Sequence, residues 1–80
     1  MNSTEIRAKA LNLAASYFAN WKASAAEHDY DAEREYYHKY DAARCMAAII
    51  GIEEQEIEDT AWKMYGDEIR KLYDENNATI

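Results

Sequence analysis

The chain has 80 residues with no proline, no valine, two glycines and fifteen alanines, a composition that excludes a sheet protein and points to an all-α fold. Its formal net charge of -7 disfavours direct binding to nucleic acid or to an anionic membrane. A chain this short buries only roughly 60 to 65% of the surface its unfolded form exposes, so residues 1–80 are expected to form a single helical domain with little core to spare.

No segment approaches the ~18 uninterrupted apolar residues of a membrane span, and the first residues lack a basic stretch followed by an apolar run, so a cytoplasmic protein is expected. The single cysteine, Cys45, cannot form an internal disulfide, and the Cys/His spacings of structural zinc sites are absent. No cofactor is expected.

The first predicted helix runs from about residue 3 to 27. Asn2 with Glu5 has the spacing of a capping box. Ile6, Ala10, Leu13, Ala14, Tyr17, Phe18, Trp21 and Ala25 share one arc of the helical wheel and form a core-facing stripe, with Arg7 falling inside it. The opposite side carries Ala8, Asn12, Ala15, Ala19, Ala23 and Ala26. Small side chains at this spacing either let another helix approach closely, in an oligomer or a partner complex, or are simply helix formers on a solvent face. His28 ends the helix where the backbone dipole favours a cation.

The second helix is predicted over about 30–50, capped by Asp29 or Asp31 and ended by Gly51, with apolar Ile52 completing the sequence form of a Schellman ending. Up to Asp41 it is two-faced, with Tyr36, Tyr40 and Ala43 on one side and Asp31, Arg34, Glu35, His38 and Asp41 on the other. From Ala42 to Ile50 only Arg44 is charged, and a helix apolar on all sides must be covered on all sides. Either this helix is the wrapped centre of the bundle, or Ala42, Cys45, Met46, Ile49 and Ile50 contact a second subunit or a partner protein. Tyr30 and Tyr37 lie off the core stripe and join them, with Tyr73, as candidate contact residues.

Glu35 and His38 have the i, i+3 spacing of carboxylate-bridged di-metal sites in helical bundles. Such sites need two of these motifs and two more glutamates facing inward. One motif, on the polar side and interleaved with Arg34, reads better as a solvated face, so no metal site is assigned. His38 and Cys45 are two turns apart, about 10 Å by helix rise, too far to exchange a proton. With no phosphate loop, nucleophile elbow or paired-carboxylate cleft in the sequence, a non-enzymatic role is expected.

The third helix is predicted over about 53–75, followed by a frayed tail at 76–80. Ile57, Ala61, Met64, Tyr65, Ile69 and Leu72 mark its core arc, with Trp62 and Tyr73 on the flank. Gly66 is expected on the polar side, and a break there into two shorter helices is the competing reading. Glu53, Glu54 and Glu56 complement the positive end of the helix dipole. Glu56, Asp59, Asp67 and Asp74 line one polar arc, interrupted by Lys63, Arg70 and Lys71. Glu58 and Glu68 fall inside or beside the apolar arc, and Arg7 is their candidate partner if they are buried.

Three helices with short connections predict an antiparallel three-helix arrangement, either a compact bundle or half of an oligomeric one. The function expected is a helical protein-protein interaction module that self-associates or docks a partner through the apolar end of helix two and the alanine stripe of helix one. Two alternatives follow from the residues. One is an inhibitor of the kind found in phages and mobile elements, whose acidic helix-three face imitates nucleic acid and blocks a basic surface. The other is a metal-binding helical oligomer built on Glu35 and His38.

Overall fold

The computed structural model describes residues 2–77, which form three helices: α1 over Ser3–Ala26, α2 over Tyr30–Ile49 and α3 over Glu54–Asn77. The bundle is elongated, with extents of 48 × 23 × 19 Å. No helix among the described residues is long and apolar enough to cross a membrane.

Side-chain oxygens and backbone geometry set the helix ends. The Asn2 side chain accepts from the Glu5 backbone N–H at 2.9 Å, and the Asp29 side chain accepts from that of Ala32 at 3.1 Å. The first helix closes with the Asp29 N–H donating to the Ser24 carbonyl and the His28 N–H to the Ala25 carbonyl. The second closes the same way, with Ile52 donating to Ala47 and Gly51 to Ala48. Both are Schellman endings, which require a left-handed residue just past the cap. Gly51 supplies it at φ 84°, as its sequence position predicts, but at the first ending His28 occupies it at φ 60°. The role of His28 is therefore in its backbone, and its side chain is exposed.

Helix α1 is the hub. It runs antiparallel to α2, with Phe18 on Tyr40 and Trp21 on Tyr37 at ring centroid distances of 5.4 and 5.0 Å. It runs parallel to α3, since Arg7 pairs with Glu56 near one end while Ala19 and Ala23 share a cleft with Ile69 and Leu72 near the other. Helices α2 and α3 scarcely touch. This corrects the reading of α2 as a wrapped central helix: the centre is α1, and α2 lies on its flank.

The alanine stripe of α1 is corrected with it. Ala15, Ala19 and Ala26 are buried in the chain's own fold, and Ala19 with Ala23 lines the cleft against Ile69 and Leu72 of α3. Only the N-terminal end of the stripe, at Ala8 and Asn12, stays exposed.

The core is thin and rich in alanine: Ala14, Ala15, Ala47 and Ala61 pack with Phe18, Tyr40, Ile52 and Ile57. Phe18 joins its two sides, meeting Trp21, Tyr40 and Trp62 edge-on. Such pairs contribute about 0.5 to 1.5 kcal/mol each beyond the area they bury.

Helix α3 is unbroken at Gly66. The glycine is buried, and the Arg70 guanidinium covers it, lying 2.9 Å from where a Cβ would stand. Asn76 and Asn77 continue the helix, two residues further than the sequence pattern reaches; residues 78–80 lie outside the described residues. Of the expected core arc, Ile57, Ala61 and Ile69 are buried, while Met64 is 51% exposed.

Candidate interaction surface

The most apolar exposed surface lies where the start of α1 meets the end of α2. Met46 and Ile49 are 68% and 78% exposed, and Ile6, Leu13 and Ile50 are each about half exposed. A groove between the two helices is lined by Ile6, Ala10, Leu13, Ala43, Met46 and Ile50, so these residues form one continuous feature. Ala42 and Cys45 are exposed on the same half of α2, and the thiol is free.

The five large side chains together leave the equivalent of about three whole aliphatic residues in water, an unrealised burial of roughly 4 to 9 kcal/mol. In a domain with so little core, that is a substantial share of the apolar surface left outside it. Helix propensity accounts for the exposed alanines, but not for Met46, Ile49 and Ile50 in a row on the outside of a helix.

The nominated tyrosines lie apart from this feature. Tyr30 and Tyr37 line a shallow groove with Trp21, Glu33 and Arg34 at the other end of α2, and Tyr73 stands exposed near the end of α3. The structure therefore brings together Ile50 and Met46 with α1, and it leaves Tyr30, Tyr37 and Tyr73 outside the same surface. Trp21, beside the tyrosine groove, is held by stacking on Tyr40 at 5.6 Å and by the Lys22 ammonium 4.0 Å over its ring.

Ile6 and Leu13 are the members of the surface that the sequence pattern assigns to the core. Their signal was available in the width of the α1 stripe: it covers more of the wheel than one neighbouring helix can bury. Ile6 and Leu13 fall on the edge farthest from Phe18.

Comparison of the chain with protein-family models, curated proteins and solved structures finds no match. The reading of this surface therefore rests on its own chemistry.

The other candidate features are occupied within the fold. Glu35 forms an ion pair with Lys39 at 3.1 Å, and His38 lies edge-on against Tyr37. No cluster of three potential metal-ligating side chains occurs among the described residues.

On the acidic face, Glu56 accepts from Arg7 at 2.6 Å, Asp59 from Gln55 at 2.9 Å and Asp67 from Arg70 at 3.1 Å. The hydrogen bond and charge of Arg7 hold the Glu56 carboxyl below its ordinary value, and Arg7 is raised in return. Arg7 thus reaches α3 as expected but pairs with Glu56 and not with Glu58 or Glu68, of which the first is half-buried and the second exposed. Asp74 stands exposed on this face.

Among the described residues, one buried polar side-chain atom has no partner: the hydroxyl of Tyr40, a residue 3% exposed. Burial is the main cause that pushes this phenol up to about 12, with the α3 carboxylates Glu54 and Glu58 next. The influence of Glu54 and Glu58 puts this hydroxyl on the side of α2 that faces α3.

Proposed function

We propose that the chain is a non-enzymatic protein-protein interaction module that docks through the apolar surface formed by Ile6 and Leu13 of α1 and Met46, Ile49 and Ile50 of α2. The observation that carries this reading is the exposure of Met46 and Ile49, two large apolar side chains that contribute nothing to the chain's own core. Exposed apolar patches on soluble domains mark places where another surface belongs. The acidic face of α3 supports docking to a basic protein less well, because Glu56 and Asp67 are already ion-paired within the chain.

The test is binding of a dye that fluoresces on apolar surfaces, in dilute protein. The double variant Met46→Asp with Ile49→Asp should lose dye binding while keeping its helical circular dichroism, because both positions are exposed. Equal dye binding by the folded variant would remove this surface from consideration.

A further inference from the structure

We propose that the groove at the start of α2 binds an arginine side chain on a basic segment of a partner protein, with the Tyr30 and Tyr37 rings taking the guanidinium on their faces and Glu33 accepting from its N–H groups. This site lies at the other end of α2 from the apolar surface, and neither depends on the other.

Helical spacing builds the site. Tyr30, Glu33 and Tyr37 stand at i, i+3 and i+7 on α2, so the carboxylate lies between two side chains that start about 10 Å apart along the helix. Trp21 of α1 lines the same groove, with its ring centroid 5.0 Å from that of Tyr37 and the two rings at 65°. Both phenols are left in water, Tyr30 at 63% exposure and Tyr37 at 43%. The face of an aromatic ring is negative, and a guanidinium, planar and weakly hydrated, can lie on it while its edge donates to a carboxylate.

The chain's own cations mark the ring faces that are already satisfied. Lys22 lies over Trp21 and Phe18, Lys39 over Tyr36 and Arg70 over Trp62. Among the described residues no cation lies over Tyr30 or Tyr37. The one at hand, Arg34, lines the groove, but its guanidinium approaches Asp31 at 3.8 Å. Glu33 is half-buried and takes part in no ion pair among the described residues. Two uncovered rings and an uncommitted carboxylate thus share one groove.

The surroundings favour a positive occupant. Residues 27–35 hold five acids against Arg34 alone. The positive end of the α2 dipole opposes a cation, but Asp31 and Glu33 answer it in the first turn, and α1 brings the negative end of its own dipole close by with no base in its last turn. Lysine suits the groove less well, since its ammonium is strongly hydrated and has no plane to stack. One side chain is a weak anchor, so the arginine belongs to a basic segment whose neighbouring residues meet Glu27 and Asp31.

Titration of the full chain with a glycine-rich peptide carrying two arginines, followed by the NMR signals of the Tyr30, Tyr37 and Trp21 rings, tests the proposal. The expected result is saturable shifts at these rings with a dissociation constant of about 1 mM or below. The same peptide with lysines should bind at least about threefold more weakly. Tyr30→Ala with Tyr37→Ala should weaken binding about tenfold at unchanged helical circular dichroism, because both rings are exposed. Glu33→Gln should weaken it about twofold to fivefold, and Arg34→Gln should strengthen it.

Absence of shifts at about 10 mM peptide overturns the proposal. Equal binding of the lysine peptide, or unchanged binding by the double alanine variant, reduces the contact to general attraction by an acidic surface and overturns it as well. Tighter binding of a trimethyllysine peptide assigns the groove to a methylated ammonium, and free arginine amide binding as tightly as the peptide makes it a small-molecule site. Weakening by Arg34→Gln puts an anion in the contact. Each of these three outcomes overturns the assignment to a partner's arginine. Met46→Asp with Ile49→Asp should leave peptide binding unchanged, and a loss there would overturn the separation of the two sites.

Discussion

The left-handed residue at the end of α1 gives a sharp test of how local geometry sets stability in this chain. His28 sits at φ 60° in a Schellman ending, where Gly51 sits at φ 84° in the equivalent ending of α2. A side chain in the left-handed region costs roughly 1 to 2 kcal/mol. Glycine avoids that cost but loses about 0.5 to 1 kcal/mol more backbone freedom on folding. His28→Gly should therefore stabilise the fold by about 1 kcal/mol. For a domain of this size that raises the melting temperature by roughly 4 to 8 °C.

Gly51→Ala is the mirror experiment. A Cβ there meets nothing within 4 Å, so its effect is that of the backbone alone. It should destabilise by about 1 kcal/mol. Both are read by urea unfolding followed by circular dichroism at one fixed protein concentration, because self-association would otherwise enter the apparent stability. If His28→Gly gave no gain while Gly51→Ala carried its cost, the imidazole would be offsetting the strain, through the Tyr30 ring 6.3 Å away or through the carbonyls at the helix end. If neither substitution moved the midpoint, the argument from left-handed strain would fail at both ends.

Two further substitutions test the interior. Tyr40→Phe removes a buried hydroxyl that has no hydrogen-bond partner, and should stabilise by about 1 kcal/mol at neutral pH. The phenol is raised in the fold to about 12 against an ordinary value near 10. The stability linked to its protonated form is thus complete below pH ~10 and falls as pH rises toward ~12, by at most about 1.4 kcal/mol per pH unit. The difference between wild type and Tyr40→Phe should grow over that interval, and parallel pH profiles of unfolding would contradict the burial of this group. Gly66→Ala should gain up to about 1 kcal/mol of helix propensity, since the Cβ displaces only the flexible end of Arg70. A lower melting temperature would show that the Arg70 guanidinium, 6.0 Å from the Trp62 ring, contributes more by its cover than the backbone gains.

The helix ends and the core arcs were legible in the sequence because they depend on local chemistry. Asn2, Asp29 and Gly51 each act within one turn of where they stand, and Phe18, Ile57 and Ile69 lie on the stripes that helical periodicity draws. The assignment of partners was not legible, because a wheel gives the direction of a side chain but not which helix lies in that direction. The alanines at 15, 19 and 26 read as a solvent face or as the seat of another helix, and only the folded chain shows them buried. Arg7 was placed correctly toward α3, yet the choice of Glu56 over Glu58 depends on the rotation of α3 about its own axis. The exposed end of α2 was visible as an excess of apolar residues, whereas Ile6 and Leu13 beside it were hidden within an ordinary amphipathic stripe.

The near absence of contact between α2 and α3 gives the molecule a spine. Each flanking helix is bound like a page chiefly to α1, so losing α1 releases both, while either flank can swing out and leave the other pair closed. Amide protons of α1 should accordingly exchange only when the whole chain opens, and those of α2 and α3 through separate, smaller openings. The two flanks come together around Phe18, whose ring touches Tyr40 on one side and Trp62 on the other, where Tyr40 and Ala47 of α2 share the core with Ile57 and Ala61 of α3. In this small fold, one phenylalanine is the stitch that holds both pages to the binding.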